Sequence, residues 1–441
     1  MENNGKKYFI ITYGCQMNVH ESEKIAGALT SLGYVACDNE NEANVIVFNT
    51  CCIRENAENT AEGNIGALKK LKLLKKDDLI IAVGGCMTQQ RGYAELLKKK
   101  FPFIDIIFGT FNLEDFKQLF EKRLNLGKKI LSILEKEQEI KEGVNKTRTS
   151  FPNAWVNIIY GCNNFCSYCI VPFVRGRERS RKIEDILLEC KQLVKEGYKE
   201  ITLLGQNVNS YGNDIENTSF PQLIREISNI EGDFRLSFMT NHPKDLSEDL
   251  IKALSESKKV SKKIHLPVQA GSNRILKLMN RKYTREDYLQ KVELLRKYIP
   301  DIAITSDIMV GFPSETEQDF LDTLDLVEKV KYLSAFTFVY SKRKGTVAEK
   351  MDEQIEESVS KNRIMRLINL QKEISVNQCA MAVGKNVEIL CEDYDCKKDM
   401  YLGRDTYGRM AYFKGENSDI GKFIKLFIEK SEGISLFGKK I

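Results

Sequence analysis

Residues 154–169 read AWVNIIYGCNNFCSYC, an apolar stretch followed at once by three cysteines in the spacing CxxxCxxC. The apolar stretch predicts a buried strand that ends in a tight loop. Three thiolates on one short loop can bind one face of an iron–sulfur cubane and leave the fourth iron without a protein ligand. Zinc is the alternative, but a zinc site normally needs a closed set of four nitrogen or sulfur ligands. We therefore expect Cys162, Cys166 and Cys169 to bind a cluster with an open iron.

The sequence after this loop predicts an incomplete βα barrel. Five further strand candidates, EITLLGQN, FRLSFMT, KIHLPVQ, IAITSDIMV and AFTFVYS, each precede a helical pattern, which makes six units in all. Because the carboxyl ends of the strands form the active face of such barrels, polar residues there indicate a substrate pocket. Helix capping and turn formation are an equally ordinary role for these residues. These residues are Gln206, Asn207, Asn241, His242, Gln269, Asp307 and Ser341.

The regions on either side of this core, which we place at 148–378, have different patterns. In residues 6–124, the apolar runs KYFIITYG, VIVFNT, LIIAVGG and FIDIIFGT alternate with amphipathic stretches, which predicts an open parallel sheet with crossover helices. Residues 125–147 include much of the charged segment EKEQEIKEGVNKTRTS and are expected to be a linker. Residues 380–441 contain short strand patterns separated by turn residues, which predicts a small β-barrel.

Composition narrows the class of protein. The chain has 441 residues, of which 42% are hydrophobic, and its net charge of +5 is too mild to argue for nucleic acid by itself. No apolar run approaches the roughly 18 residues of a membrane span, and the N-terminus lacks a signal-peptide pattern, so we expect a cytoplasmic protein with no membrane partner. Twelve cysteines in a reducing compartment favour metal binding or catalysis over disulfides, and with three histidines thiolates must dominate any metal site.

A second set of cysteines follows the predicted strands of the N-terminal region. Cys15 follows IITYG, Cys51 follows VIVFNT and Cys86 follows LIIAVGG. Because parallel strand ends converge on one crevice, these distant positions can form one site. Buried core cysteines are the ordinary alternative, and a dinucleotide site is a weaker one since GxGxxG is absent. The other six cysteines are expected to be structural: Cys37, Cys52, Cys190, Cys379, Cys391 and Cys396.

Several motifs together resemble one family over nearly the whole chain. They are TYGCQMN, NTCCIRENA, GGCMTQQ, YGCNNFCSYCIVPFVRGRERSR, LLGQNVNSYG, HLPVQAGSN and GFPSETEQDF. This set resembles the bacterial tRNA methylthiotransferase family of the radical S-adenosylmethionine (SAM) superfamily. The resemblance implies a methylthiotransferase domain, a radical SAM core and a C-terminal TRAM domain. Two positions depart from the family pattern without removing a ligand: Cys52 stands where a small residue is usual, and Ala270 stands where Ser is usual.

The resemblance also implies cofactors and site residues. Cys162, Cys166 and Cys169 would bind the 4Fe-4S cluster that cleaves SAM, and the N-terminal set of three cysteines would bind an auxiliary 4Fe-4S cluster. Tyr168, the aromatic residue before the last core cysteine, would approach the adenine of SAM through its backbone, with simple loop packing as the alternative. The expected partners are tRNA, a sulfur donor and a low-potential electron donor such as flavodoxin or ferredoxin.

The implied reaction converts isopentenyladenosine at tRNA position 37, adjacent to the anticodon, into its 2-methylthio form and consumes two SAM molecules. An aromatic C–H has no acidic proton for a general base to remove, so a deoxyadenosyl radical must abstract the hydrogen. We therefore expect no catalytic residues beyond the cluster ligands. Related branches act on threonylcarbamoyladenosine or on a ribosomal-protein aspartate. A non-catalytic iron–sulfur RNA sensor is disfavoured by the open-iron motif, and Gln16 stands where the threonylcarbamoyladenosine branch typically has Lys.

Two basic groups are candidates for RNA contacts. Four arginines follow the core cysteine loop, where they could bind RNA phosphates or the SAM carboxylate, or form salt bridges to Glu178 or Glu184. These are Arg175, Arg177, Arg179 and Arg181. The C-terminal region mixes basic and aromatic residues in a way that suits RNA, although acidic residues nearly balance them, so that the TRAM resemblance carries this expectation. This second group is Arg404, Tyr407, Arg409, Tyr412, Phe413 and Lys414.

Overall fold

The computed structural model describes residues 5–52 and 55–441, and the chain divides into two compact units. The N-terminal unit comprises residues 1–149, 160–163 and 170–179, and the C-terminal unit comprises 150–159, 164–169 and 180–441. This division differs from the domain bounds expected from the sequence, which stay a prediction. The sequence also predicts a helical stretch from Arg54, after VIVFNT, and Arg54 itself lies outside the described residues.

The N-terminal unit is built on a six-stranded parallel sheet with strand order β2-β1-β3-β4-β5-β6. Four of its strands match the apolar runs of the sequence, whereas the short β2 and β6 were not expected, and β6 lies inside the segment predicted to be a linker. The strands are β1 (Lys7–Thr12), β2 (Val35–Ala36), β3 (Val45–Thr50), β4 (Ile80–Gly85), β5 (Ile106–Phe108) and β6 (Ile130–Ser132).

Helices cover both faces of this sheet. Residues of β3 alternate between the faces: Ile46 and Phe48 join one apolar core, whereas Val45 and Val47 join the other. All six residues of β3 are buried, in keeping with the continuous apolar run VIVF at the start of the strand. The helices of the unit are α1 (Gln16–Ser31), α2 (Glu55–Ala67), α3 (Lys69–Lys75), α4 (Cys86–Gln89), α5 (Tyr93–Lys100), α6 (Phe116–Leu126) and α7 (Val171–Arg175).

The C-terminal unit contains the predicted barrel of six parallel strands. They form two three-stranded sheets, and a bridge between Leu236 and Val260 lies next to the gap between them. The strands are β7 (Asn153–Asn157), β10 (Glu200–Leu204), β11 (Arg235–Phe238), β12 (Lys263–His265), β13 (Ala303–Val310) and β14 (Ser334–Val339); the short β8 (Ile159–Tyr160) and β9 (Arg179–Ser180) lie where the chain passes from one unit to the other. The partial barrel expected from the sequence is confirmed.

The helices of this unit follow the strands, as a βα pattern requires. Two of them begin with full capping boxes, Thr284 with Asp287 and Thr316 with Asp319, so their starts are set by local sequence. The helices are α8 (Ile183–Lys195), α9 (Phe220–Ser228), α10 (Glu248–Glu256), α11 (Asn273–Leu278), α12 (Arg285–Tyr298), α13 (Glu317–Val330) and α14 (Glu357–Ala380).

After α14 the chain forms a closed five-stranded barrel, as predicted, with strand order β15-β16-β17-β19-β18. Closure removes the exposed strand edges that a small sheet would otherwise present. Its strands are β15 (Asn386–Asp395), β16 (Met400–Asp405), β17 (Met410–Phe413), β18 (Phe423–Glu432) and β19 (Ser435–Lys440). Across the described part of the chain, no helix is both long enough and apolar enough to cross a membrane.

Candidate iron–sulfur sites

The second set of cysteines lies at the carboxyl ends of three adjacent strands. Cys15 directly precedes α1 as its N-cap, Cys51 follows β3, and Cys86 begins α4 immediately after β4. Strand β3 pairs with β1 on one side and with β4 on the other, with Thr12 opposite Asn49 and Thr50 opposite Gly85. The three strands therefore end level, as the convergence argument from the sequence requires.

Two glycines let the loops of this site approach each other closely. Gly14 and Gly85 have φ values of +104° and +105°, a region that favours glycine. A Cβ atom on Gly14 would lie 2.8 Å from the Cys51 sulfur, and one on Gly85 would lie 2.4 Å from the Thr50 carbonyl oxygen. The Cys51 side chain thus packs directly on the loop that carries Cys15.

A fourth thiol, Cys52, lies at the same place. The thiol of Cys52 hydrogen-bonds to Cys86, and both residues are buried. This hydrogen bond, with the nearby Arg175 guanidinium, lowers the pKa of Cys86 to about 7 although burial opposes the shift. The same hydrogen bond raises the pKa of Cys52, so the thiolate is favoured on Cys86 and the proton on Cys52. Desolvation raises the pKa of Cys15, and Arg175 opposes that shift while Cys86 adds to it.

The donor set at this edge of the sheet fits an iron–sulfur cluster in its chemistry. Four soft thiol groups from three loops meet there, and one of them is already biased toward the thiolate that a metal needs. Within residues 5–52 and 55–441, no three His, Cys, Asp or Glu side chains are already arranged around one metal position. A 4Fe-4S cluster does not need such an arrangement, because each cysteine binds a different iron.

The core cysteine loop is divided between the two units. Cys162 belongs to the N-terminal unit, where its backbone N–H donates to the Gly176 carbonyl at 3.1 Å. Cys166 and Cys169 belong to the C-terminal unit and share a turn, with the Cys169 N–H 2.9 Å from the Cys166 carbonyl oxygen. Tyr168 packs against the apolar core of that unit, and burial raises the pKa of its hydroxyl.

A buried arginine contacts the core loop within the C-terminal unit. The Nη1 of Arg281 lies 3.4 Å from the Cys166 sulfur, Nη2 donates to the Pro267 carbonyl at 2.7 Å, and Nε donates to the Tyr283 hydroxyl at 2.9 Å. Arg281 could not be predicted as a site residue, because a lone arginine after α11 carries no local signal of its partners. A guanidinium that donates to a ligand sulfur would favour the more negative, reduced state of any cluster bound there.

Three of the polar residues predicted at the barrel strand ends brace or cap loops. Asn207 donates to Asp245 at 2.7 Å and Asn241 donates to the His265 carbonyl at 2.7 Å, so both brace loops. His242 accepts a backbone hydrogen bond from Lys244 as a helix cap, and burial lowers the pKa of its imidazole to about 2, which keeps it neutral.

A histidine at the same strand ends was missed from the sequence. The His265 ring contacts the Thr305 hydroxyl at 3.0 Å and lies 3.6 Å from the Asp307 carboxylate. It ends strand β12, the KIH run, and its position at a strand end was the signal available in the sequence.

The four arginines after the core loop have protein partners that the sequence did not predict. Arg175 pairs with Glu21 and contacts Cys86, and Arg181 pairs with Glu189 rather than with Glu184. Arg179 donates to a backbone carbonyl and lies over the Tyr160 ring. The backbone N–H of Arg177 donates to the Glu137 carboxylate.

Most of the barrel residues proposed for RNA contacts face the protein instead. Arg409 pairs with Asp405, Tyr407 donates to Asp301, and Phe413 is fully buried in the barrel. The Arg404 carbonyl accepts from Arg235, and its guanidinium pairs with Glu392. The Tyr407 and Arg404 carbonyl contacts dock the barrel on the core of its own unit, whereas the two ion pairs lie within the barrel. A mixed basic and aromatic composition cannot reveal these partners. Tyr412 and Lys414 stay at the surface, where Tyr412 stacks on Phe437 at 5.4 Å and Lys398 lies 3.7 Å above the Tyr412 ring.

Three family models match successive parts of the chain. Residues 7–109 match an uncharacterized protein family, UPF0004, residues 156–327 match the Radical SAM superfamily, and residues 381–441 match the TRAM domain. These matches cover the regions that carry the N-terminal cysteines, the core cysteines and the closed barrel.

Curated relatives match over the full chain. A tRNA-2-methylthio-N(6)-dimethylallyladenosine synthase of Caldicellulosiruptor saccharolyticus is 52% identical over 437 residues, which is 99% of this chain and 93% of the relative. The protein of the same name from Clostridium tetani is 51% identical over 98% of this chain and 96% of the relative.

Solved structures confirm the fold alone. The radical SAM methyltransferase TsrM of Kitasatospora setae, solved with cobalamin and a 4Fe-4S cluster, has a TM-score of 0.58 at 13% identity and covers 78% of this chain and 77% of its own. The cobalamin-dependent SAM radical enzyme OxsB has a TM-score of 0.51 at 14% identity over 83% of this chain and 56% of its own. With the domain matches and the full-length relatives at about half identity, the chain belongs to the tRNA-2-methylthio-N(6)-dimethylallyladenosine synthase family of radical SAM methylthiotransferases.

Proposed function

We propose that this protein is the enzyme that adds a methylthio group to carbon 2 of isopentenyladenosine next to the anticodon of tRNA. The observation that carries the proposal is the second thiol site at the ends of β1, β3 and β4. A radical SAM enzyme needs one open-iron cluster to cleave SAM, whereas insertion of sulfur needs a further place to hold it. The N-terminal unit supplies that place within a chain whose relatives carry the name of this reaction.

The proposal assigns two 4Fe-4S clusters, one to Cys162, Cys166 and Cys169 and one to Cys15, Cys51 and Cys86. When bound, the clusters supply the electron that cleaves SAM and a carrier for the sulfur. The residues of the chain hold these groups and keep competing reactions out. Tyr168, packed beside Cys169, is assigned to the backbone contact with the adenine of SAM.

The partners of the proposed reaction follow from the molecules that it consumes. Two SAM molecules are consumed, one as the methyl donor and one as the source of the radical. A low-potential electron donor and a sulfur donor must restore the enzyme between turnovers. The substrate tRNA places the reaction in the cytoplasm.

The test is an anaerobic assay of the reconstituted protein with SAM, a strong reductant and tRNA that carries isopentenyladenosine. Mass spectrometry of the digested nucleosides should show the 2-methylthio product together with 5′-deoxyadenosine. Parallel reactions contain tRNA with threonylcarbamoyladenosine, or the small-subunit ribosomal protein whose aspartate the related branch modifies. A methylthio product in one of these reactions, and none with isopentenyladenosine, would overturn the proposed substrate. A protein that forms no 5′-deoxyadenosine would not be a radical SAM enzyme.

A further inference from the structure

Arg175 is buried at the auxiliary thiol site with all three of its guanidinium nitrogens in use. Its Nε donates to the Cys86 sulfur at 3.1 Å, and its Nη2 donates to Glu21 at 2.9 Å and to the Asn18 side-chain oxygen at 2.8 Å. Its Nη1 donates to the second oxygen of Glu21. Arg175 is 5% exposed and Glu21 is 3% exposed, so this fork is held away from water.

Asn18 extends the contact from Cys86 to the other two cysteine loops. Its side-chain amide donates to the Tyr13 carbonyl at 2.7 Å and to the Thr50 carbonyl at 3.1 Å. Tyr13 lies two residues before Cys15, and Thr50 directly precedes Cys51. One guanidinium therefore touches one cysteine directly and, through a single asparagine, braces the backbone beside the other two.

The positive charge of Arg175 is balanced by a carboxylate in direct contact with its guanidinium. A buried guanidinium is costly without a partner, and the two carboxylate oxygens of Glu21 provide one. The two charges act in opposite senses on a cluster held by Cys86. An N–H that donates to a ligand sulfur stabilises the more negative, reduced cluster, whereas a nearby carboxylate opposes it.

We propose that Arg175 is a positioning residue of the auxiliary cluster, which orients the Cys86 sulfur and favours the reduced cluster, and that Glu21 sets the opposing charge. This inference rests on the proposed auxiliary cluster. Arg175 belongs to the VPFVRGR segment, which follows the core cysteine loop in sequence. The proposal gives this residue a role at the auxiliary thiol site.

The test measures the reduction potential of the auxiliary cluster by electron paramagnetic resonance during redox titration. The full chain carries Cys162→Ala, Cys166→Ala and Cys169→Ala, so that only the auxiliary cluster is loaded. In this background we compare Arg175→Gln, Arg175→Lys and Glu21→Gln. The matched control is Arg123→Gln, which breaks another buried ion pair of the same unit, 2.9 Å from Asp105, at the amino end of the sheet.

Arg175→Gln should lower the equilibrium constant for one-electron reduction about tenfold, which is about 59 mV. Glu21→Gln should shift the potential in the opposite direction, Arg175→Lys should shift it less than Arg175→Gln, and Arg123→Gln should leave it unchanged. A residue that acts only through folding would give shifts of the same sign in Arg175→Gln and Glu21→Gln, because both break one ion pair. Shifts of the same sign, or no shift, would overturn the inference.

Two further results separate the possible failures. If Arg175→Gln loses its iron while its melting temperature stays at or above that of Arg123→Gln, the loss supports a role in holding the cluster. If it loses iron and is less stable than the control, and Arg175→Lys behaves in the same way, the role is structural and the inference fails. A background protein that holds no iron at all would instead refute the auxiliary cluster itself, and with it the proposed function.

Discussion

Two buried arginines in this protein donate to cysteine sulfurs, one in each compact unit, and they differ in what balances their charge. Arg175 contacts Cys86 and is paired with the carboxylate of Glu21. Arg281 contacts Cys166, and its other partners are the Pro267 carbonyl and the Tyr283 hydroxyl. Among the residues that the structure describes, no carboxylate forms an ion pair with Arg281.

The difference shows that a hydrogen bond from arginine to a cysteine sulfur occurs in two different electrostatic environments in this protein. At the core loop the guanidinium contributes its full positive charge, whereas at the auxiliary site the ion pair contributes little net charge beyond its N–H groups. The auxiliary site can therefore be shifted in either direction by changing one member of the pair. The core site can be shifted in one direction only, by removing Arg281.

The largest effect that tests this comparison is expected from removing the core ligands. Replacing Cys162, Cys166 and Cys169 with Ala should abolish 5′-deoxyadenosine formation and reduce the iron content from about eight to about four atoms per chain. Iron analysis and chromatography measure both. Cys190→Ala, a buried cysteine of the barrel core, is the control and should retain all the iron. A triple variant with undiminished iron would show that these cysteines do not hold a separate cluster.

The next effect tests which of two adjacent thiols belongs to the auxiliary site. Cys51→Ser should lose about four irons and the methylthio product yet still form 5′-deoxyadenosine, because the core cluster remains. Cys52→Ser should keep both clusters and most methylthiolation. Side chains of adjacent residues point in different directions, so Cys51 and Cys52 are not placed to bind the same iron together.

The structure makes this second test sharper, because Cys52 is hydrogen-bonded to Cys86, one of the assigned ligands. The measurement is iron content together with nucleoside mass spectrometry. The reverse result, in which Cys52→Ser removes the auxiliary cluster and Cys51→Ser keeps it, would move the ligand by one residue.

A smaller effect is expected from Arg281. Arg281→Gln should lower the equilibrium constant for reduction of the core cluster about tenfold, or about 59 mV, since the uncompensated charge is lost. 5′-Deoxyadenosine formation should then fall with a weak reductant and recover with a strong one. Tyr283→Phe is the control, since it removes the hydroxyl partner and keeps the guanidinium. A potential that stays unchanged in Arg281→Gln would remove the basis for comparing the two arginines.

The smallest effect on either cluster is expected from the closed barrel. Tyr412→Ala and Lys398→Ala disrupt the partly exposed stack of Tyr412, Phe437 and Lys398 and should weaken tRNA binding several-fold, because stacking on an aromatic ring contributes roughly 1–3 kcal/mol per base. Both cluster potentials and SAM cleavage without tRNA should be unchanged. Filter binding measures the affinity, and Tyr407→Phe on the docked side of the barrel serves as the control. Equal affinity in all three variants would favour a barrel that only caps the core.

Much of the architecture could be predicted from the sequence because its signals are local. The run VIVF is continuously apolar because β3 is buried on both faces, and the capping boxes at Thr284 and Thr316 start helices by contacts within three residues. The convergence of Cys15, Cys51 and Cys86 also followed from a rule about strand ends that needs no coordinates. Strand β6 was missed because it lies in residues 125–147, a segment whose many charged residues predict a linker.

The sequence by itself determined the order of the main strands and helices, the spacing of the core cysteines and the positions of the thiols at strand ends. Only the tertiary structure decided the partner of each buried charge. Arg175 is 154 residues from Glu21, Arg281 is 115 residues from Cys166, and Arg235 is 169 residues from the carbonyl of Arg404. A basic residue looks the same in sequence whether it faces RNA or a carboxylate, because its local pattern does not depend on the distant segment that folding brings against it.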